Sequence, residues 1–312
     1  MLHPFTKLLS SIVLIQLLTA CGDGTTDSTT GSSLITVNIT DAPVDSADAV
    51  VVEFTGITLK AKDNDDLTFT FATPKSIDLL ALQGTSSQPL IEDVEIPAGE
   101  YTQIRLAVNA EFDDTMDSYI TVNNVQHELR VPSGSQSGLK LNTPFTVSAG
   151  TEGINVADEN AVYTIDFDLR KSIVKPNGQD GYFLKPVLRL VQNINTGSIN
   201  GTVDSGLLTG VNCSDADPLT GNAVYIFSGT NTVPDDVDEI GVEPLTTALV
   251  QEDLTNTPTY RYEIGFLSAG DYTIAFTCAA DLDDDEDNAN VVFVAVDNVT
   301  VIANEAVTHP ID

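Results

Sequence analysis

Apolar and polar residues alternate with a period of two along most of this chain. Ile35, Val37 and Ile39 interleave with Thr36, Asn38 and Thr40, and Tyr163, Ile165, Phe167 and Leu169 interleave with Thr164, Asp166 and Asp168. Val50, Val52 and Phe54 keep the same spacing, as do Ile104, Leu106 and Val108. Successive side chains of a strand point to opposite faces, so the spacing predicts strands with one buried face. Turn-forming residues 63–66 separate Gly56 to Leu59 from Leu67 to Phe71, which predicts a hairpin. Only Ser76 to Gln83, through Ile77, Leu79, Leu80 and Leu82, has the spacing of a helical turn or two. In the C-terminal part, strands are expected at Ser198 to Val203, Ala223 to Phe227, Tyr260 to Phe266, Tyr272 to Cys278, Val291 to Val296 and Val299 to Ile302. The pattern predicts an all-β protein of two β-sandwich domains, immunoglobulin- or prealbumin-like, at 34–192 and 197–312, joined at 193–197.

The N-terminus departs from this pattern. Lys7 precedes an apolar run from Leu8 to Leu18, and Leu18-Thr19-Ala20-Cys21 resembles the lipobox of bacterial lipoproteins. The run is shorter than the ~20 apolar residues a spanning helix needs. Residues 1–20 are therefore read as a signal peptide, Cys21 as the site of lipidation, and 21–33 as a polar tether rich in Gly, Ser and Thr. The resemblance implies a diacylglycerol on the Cys21 sulfur and an acyl chain, such as palmitate, on the new amino terminus. Several chains hold a protein stably where one binds only marginally. Gly22, rather than an aspartate, follows the cysteine. Within lipoproteins of this kind that implies sorting to the outer membrane of the cell envelope, with the lipid as the membrane partner.

Charge narrows the partners. The chain carries 46 acidic and 13 basic residues, a formal net charge of −33. Such a field repels phosphate backbones, which excludes nucleic acid as a natural partner, and it favours cations, basic partners or plain solubility in salt. Cys213 and Cys278 remain once Cys21 is lipidated, and an even pair in an exported chain reads as a disulfide, with two buried free thiols as the alternative.

One motif occurs in both halves. Ile96-Pro97-Ala98-Gly99-Glu100-Tyr101-Thr102 and Leu267-Ser268-Ala269-Gly270-Asp271-Tyr272-Thr273 each precede a strand. Both resemble the glycine–acid–tyrosine corner of transthyretin-like and carboxypeptidase-regulatory-like sandwiches, a folding device. Four separated blocks carry a second resemblance: Thr40-Asp41-Ala42-Pro43-Val44-Asp45, Ala49 to Ile57, Asp166 to Ile173, and Phe183 to Arg189. In this order they are similar to domain-of-unknown-function family 4382, over Leu34 to about Leu190. The resemblance implies an exported lipoprotein with β architecture, and no reaction.

Candidate chemistry is sparse. The mature chain holds His127, within the alternating run Val125 to Val131, and His309 beside Pro310. A Ser-His-acid nucleophile has little to build on, and Gly134-Ser135-Gln136-Ser137-Gly138 has glutamine where a nucleophile elbow needs serine. Asp166 and Asp168 share a strand face, as paired carboxylates for glycoside hydrolysis would, but acidic residues abound. Asp281, Asp283, Asp285 and Asp287 alternate like the start of a calcium loop. Glu286 then stands where that loop needs glycine, and Val292 where it needs glutamate. A weak Ca²⁺ site and a solvated acidic loop both remain open, with 235–239 a second acidic cluster. No other cofactor is expected. Tryptophan is absent, which weakens sugar binding by aromatic stacking.

These observations lead to a non-enzymatic, envelope-anchored scaffold or binding module, with a protein or polysaccharide partner. A carbohydrate-binding module is the alternative, and a hydrolase the third. Labelling of the chain in its host by radioactive palmitate is expected to vanish in Cys21→Ala. Persistent label would remove the lipoprotein reading.

Overall fold

The computed structural model describes residues 31–312 except 45–46, 133–136, 150–160, 177, 179–180, 211–212, 214–219, 239, 255–257 and 284–290. Cys21 and residues 1–20, expected above to be a signal peptide, lie outside the described residues. Among those described, no helix is long and apolar enough to cross a membrane.

The alternating runs form the predicted strands. In the first sandwich one sheet orders Leu188–Gln192, Ala161–Asp168, Ser32–Ala42 and Gln88–Pro97, with the middle pair parallel. The facing sheet is built on Ala49–Ala61, which pairs with Leu67–Asp78, Gly99–Asn109 and Tyr119–Val122. Ile35, Val37 and Ile39 are fully buried between the sheets, and Phe54 of one sheet meets Phe167 of the other edge-on at 6.4 Å. Ser76 and Ile77 continue a strand, and only Leu79–Ala81 turns, as a 3-10 helix whose start is capped by the Asp78 carboxylate accepting from the Leu80 N–H. The apolar spacing there was local, and the ladder to Ala49–Ala61 overrode it.

The second sandwich pairs Gln251–Asp253, Thr259–Ser268, Thr196–Val203 and Ala306–Thr308 in one sheet. Thr246–Leu249, Ala223–Ser228, Gly270–Thr277 and Phe293–Val301 form the other. The two C-terminal strands expected near 291–302 are a single strand, continuous through Asp297 and Asn298. Cys213 and Cys278 form a disulfide separated by 65 residues. Closing a loop of that length removes denatured-state entropy worth about 4 kcal/mol. Both glycine–acid–tyrosine motifs make the same corner: Tyr101 donates to the Pro97 carbonyl and Tyr272 to the Ser268 carbonyl, each at 2.7 Å. Gly99 adopts φ +153° there, a conformation other residues resist.

The sandwiches are joined by cations. Asp168 caps the helical turn Leu169–Ser172 by accepting from the Lys171 N–H at 3.2 Å, and that turn points Arg170 into the other sandwich. Arg170 is 3% exposed, donates to the Ala280 carbonyl and lies 5.5 Å from the centre of the Tyr225 ring. Lys171 donates to the Pro244 carbonyl, and Arg189 to the Phe266 carbonyl at 3.1 Å. Gly265 faces Gly84 so closely that a Cβ on it would meet the Gly84 carbonyl at 2.3 Å. Arg170→Met keeps the aliphatic stem but leaves the Ala280 carbonyl without this donor. We expect it to destabilise the fold by about 2 kcal/mol, the scale of a hydrogen bond to a charged group. Urea unfolding followed by circular dichroism measures this, and an unchanged midpoint would mean Arg170 does not clasp the domains.

Candidate functional site

The clasp holds a cleft open along the seam. Its main lobe has a volume of about 630 Å³, within the ~300–1,000 Å³ range of ligand sites, which favour domain interfaces. Thr40, at the end of its strand, donates to the carbonyls of Leu82 at 2.9 Å and Ser86 at 2.7 Å, fixing the loop that presents Gln83 and Ser86. From the second sandwich come Asn200, Gln251 and Arg261 on neighbouring strands of one sheet. The His309 N–H donates to the Asn200 carbonyl at 2.8 Å, and the Tyr262 hydroxyl donates to the His309 carbonyl, so the C-terminal segment forms part of the wall. Gln251 donates to Gln83 at 3.3 Å across the seam, and Thr85 donates to Glu263 at 3.2 Å. A second lobe of about 280 Å³ shares Leu80, Ala81, Gln83 and Leu249 with the first. Ser86, Asn200, Gln251 and Arg261 did not stand out in the sequence. The three on the second sandwich share one sheet, and the loop carrying Gln83 and Ser86 reaches them only when the two sandwiches dock.

The residues that did stand out have other tasks. Asp166 forms an ion pair with Arg189, and Asp168 caps its helical turn and lies 3.3 Å from the Lys171 ammonium. Both carboxylates therefore orient the cations of the seam. His127 packs its ring 5.5 Å from that of Tyr182, and the His309 ring lies 3.4 Å from the Asp297 carboxylate. The two histidines sit in different sandwiches, with neither beside Asp166. Residues 134–136 of the serine-glycine run lie outside the described residues.

The acidic loop divides. Asp285 and Asp287 lie outside the described residues, and Asp281 is exposed. Asp283 is 4% exposed, accepting from the Tyr225 hydroxyl at 2.6 Å and the Val237 N–H at 3.0 Å. Those bonds occupy both its oxygens in binding Val237 of the 235–239 cluster and Tyr225 beneath Arg170. Among the described residues no three acidic, histidine or cysteine side chains are grouped to hold a metal. Sequence spacing had suggested a ligand in Asp283, and the structure gives it a packing role.

Residues 32–186 match the family model described as "Domain of unknown function (DUF4382)". No curated protein matches the chain. Among solved structures it is similar to the TIE protein of Bacillus anthracis at 10% identity, covering 90% of this chain and 34% of that one, with a TM-score of 0.19. A leucine-rich repeat protein from Bacteroides thetaiotaomicron is 12% identical, with 90% and 26% covered and a TM-score of 0.21. GBS52, the minor pilin of Streptococcus agalactiae, is 11% identical, with 88% and 93% covered and a TM-score of 0.19. The chain thus spans 34% and 26% of the length of the first two. The sandwich architecture stands on the strand pairings above.

Asp41 sets a pH response at the edge of the seam. It is 5% exposed, and neither carboxylate oxygen makes a hydrogen bond of normal geometry among the described residues. Burial pushes its pKa well up, and the charges of Asp166, Asp168 and Asp78 push the same way, against a smaller downward pull from the Leu169 N–H. Asp166 is also raised by burial, with Arg189 acting against it. A raised carboxyl pKa means that, above the ordinary carboxylate range, the folded state holds a proton the unfolded state has lost. Stability then falls as pH rises from that range through the raised pKa. Asp41→Asn is expected to melt higher than the parent chain at pH 8 and no higher at pH 4. A variant less stable than the parent at pH 8 would overturn this account.

Proposed function

Taking residues 32–186 as a member of the DUF4382 family, we propose that the chain is a non-enzymatic lipoprotein of the cell envelope. Its two sandwiches serve there as one rigid binding module, lipid-anchored through Cys21 and held off the outer membrane by the tether. The observation that carries the reading is the cleft of about 630 Å³ at a seam fixed by Arg170, Lys171 and Arg189. A preformed cleft between domains held in a set orientation spends little entropy on ordering when a partner enters. The hydrolase reading loses its best carboxylates, because Asp166 is engaged by Arg189 and Asp168 by its helical turn.

A photo-cross-linking residue placed at Gln251 in the native host is expected to give a light-dependent adduct with an envelope component. The same residue at Lys62, exposed and remote from the cleft, is expected to give none. No adduct from Gln251 or from Asn200 would mean that the cleft is not where this protein binds.

A further inference from the structure

We propose that the cleft binds an uncharged polysaccharide chain, an assignment that rests on the cleft being the binding site and names what enters it. Charge is the first reason. In a chain of net charge −33, the charged residues lining the main lobe are Arg261 and Glu263. Arg261 lies 3.3 Å from Asp253 and Glu263 accepts from Thr85, so each is already engaged. An anionic ligand would enter against the field of the whole molecule. A cationic one would find more exposed carboxylates on the rest of the surface than here. The main lobe favours a ligand with no charge.

The polar groups give the second reason. Asn200 accepts from Thr308 at 3.1 Å through its carbonyl oxygen, which leaves its amide to donate. Gln251 donates to Gln83 and keeps its own carbonyl oxygen to accept. The Ser86 hydroxyl lies on the same wall and does both. Donors and acceptors are mixed within one lobe, and a sugar hydroxyl matches such a mixture because each one donates and accepts. Between them lie Leu80, Ala81, Leu249 and Pro310, aliphatic surface suited to the C–H face of a pyranose ring. This surface stands in for the missing tryptophan. Tyr262 cannot serve, because its ring is 3% exposed and its hydroxyl is bonded to the His309 carbonyl.

Shape gives the third. The second lobe continues the first through four shared residues, making the site elongated, which suits a chain of sugars better than a single one; its two carboxylates, Asp48 and Asp78, already accept from the backbone N–H groups of Asn124, Val50 and Leu80. A peptide would need strand edge to add to, and the edge strand at the cleft, Gln251–Asp253, is three residues long.

The test titrates the full-length chain in detergent with neutral gluco-, manno-, galacto- and xylo-hexasaccharides and with anionic hexagalacturonate, by calorimetry and saturation-transfer NMR. At least one neutral hexasaccharide is expected to saturate, and hexagalacturonate to give no signal. Asn200→Ala combined with Gln251→Ala should weaken that binding about tenfold or more, the scale of two lost hydrogen bonds. Gln251 is exposed and Asn200 half-buried, and an unchanged melting temperature checks the fold. Gln251→Glu is the second variant, and its added charge should weaken binding without removing bulk. Failure of every neutral sugar to bind, preference for hexagalacturonate, or full affinity in both variants would overturn the proposal. If the sugars fail while Gln251 still cross-links a protein, the saccharide assignment falls and the cleft stays a binding site. If both fail, both fall.

Discussion

The structure depends on where its few cations are placed. Only 13 of 312 residues are Lys or Arg, and three of them, Arg170, Lys171 and Arg189, leave the first sandwich to reach carbonyl oxygens of the second. Each is aimed by an acidic neighbour or a cap: Asp166 holds Arg189, and Asp168 builds the turn that carries Arg170 and Lys171. A guanidinium in a largely buried seam is costly to desolvate and is retained only where its hydrogen bonds are met. Here the Ala280 carbonyl accepts from Arg170, and the Phe266 carbonyl and the Asp166 carboxylate accept from Arg189. The docking angle follows from these contacts, and the cleft follows from the docking angle.

This placement gives the family signature a physical meaning. Two of the four blocks that resemble DUF4382, Asp166 to Ile173 and Phe183 to Arg189, supply the clasp cations and the groups that orient them. A third contains Thr40, which pins the loop carrying Gln83 and Ser86, and Asp41, the buried carboxyl beside the clasp. Residues that look like a catalytic inventory when read in line are thus the parts of a joint. The acidic pair Asp166 and Asp168 illustrates the difference. Sharing a strand face made them candidates for acid–base work, and their partners, Arg189 on the neighbouring strand and Lys171 on the turn that follows, decided their role.

Most of the β architecture was legible because alternation is a local property, and burial of one face follows from it. Val50 to Phe54, Ile104 to Val108 and Tyr163 to Asp168 read as strands and are strands, while Leu169, which continues the alternation, opens the helical turn capped by Asp168. The corner motif was legible for the same reason: its tyrosine bonds only four residues back. What could not be read was set by distant partners. Thr246–Leu249 and Gln251–Asp253 are short strands whose existence depends on ladders to Ala223–Ser228 and Thr259–Ser268. Val291 to Ile302 looked like two strands because Asp297 and Asn298 resemble a turn, yet the ladder to Gly270–Thr277 carries through them. The cleft was invisible for a deeper reason. Asn200, Gln251 and Arg261 are brought together by the ladders of one sheet, and only the seam brings Gln83 of the other sandwich to them.

The distribution of charge explains why so acidic a chain can hold two domains together. Unscreened, two negative sandwiches repel, and that repulsion acts over distances comparable to a domain. At physiological ionic strength charges more than ~8 Å apart are largely screened, whereas buried contacts are screened much less. Salt therefore weakens the surface repulsion that opposes docking more than it weakens the clasp, whose Arg170 is 3% exposed. The cations sit where screening is least and the excess acid sits where screening is greatest. The arrangement stabilises the joint most under saline conditions, and it leaves the main lobe of the cleft lined by one charge of each sign, Arg261 and Glu263.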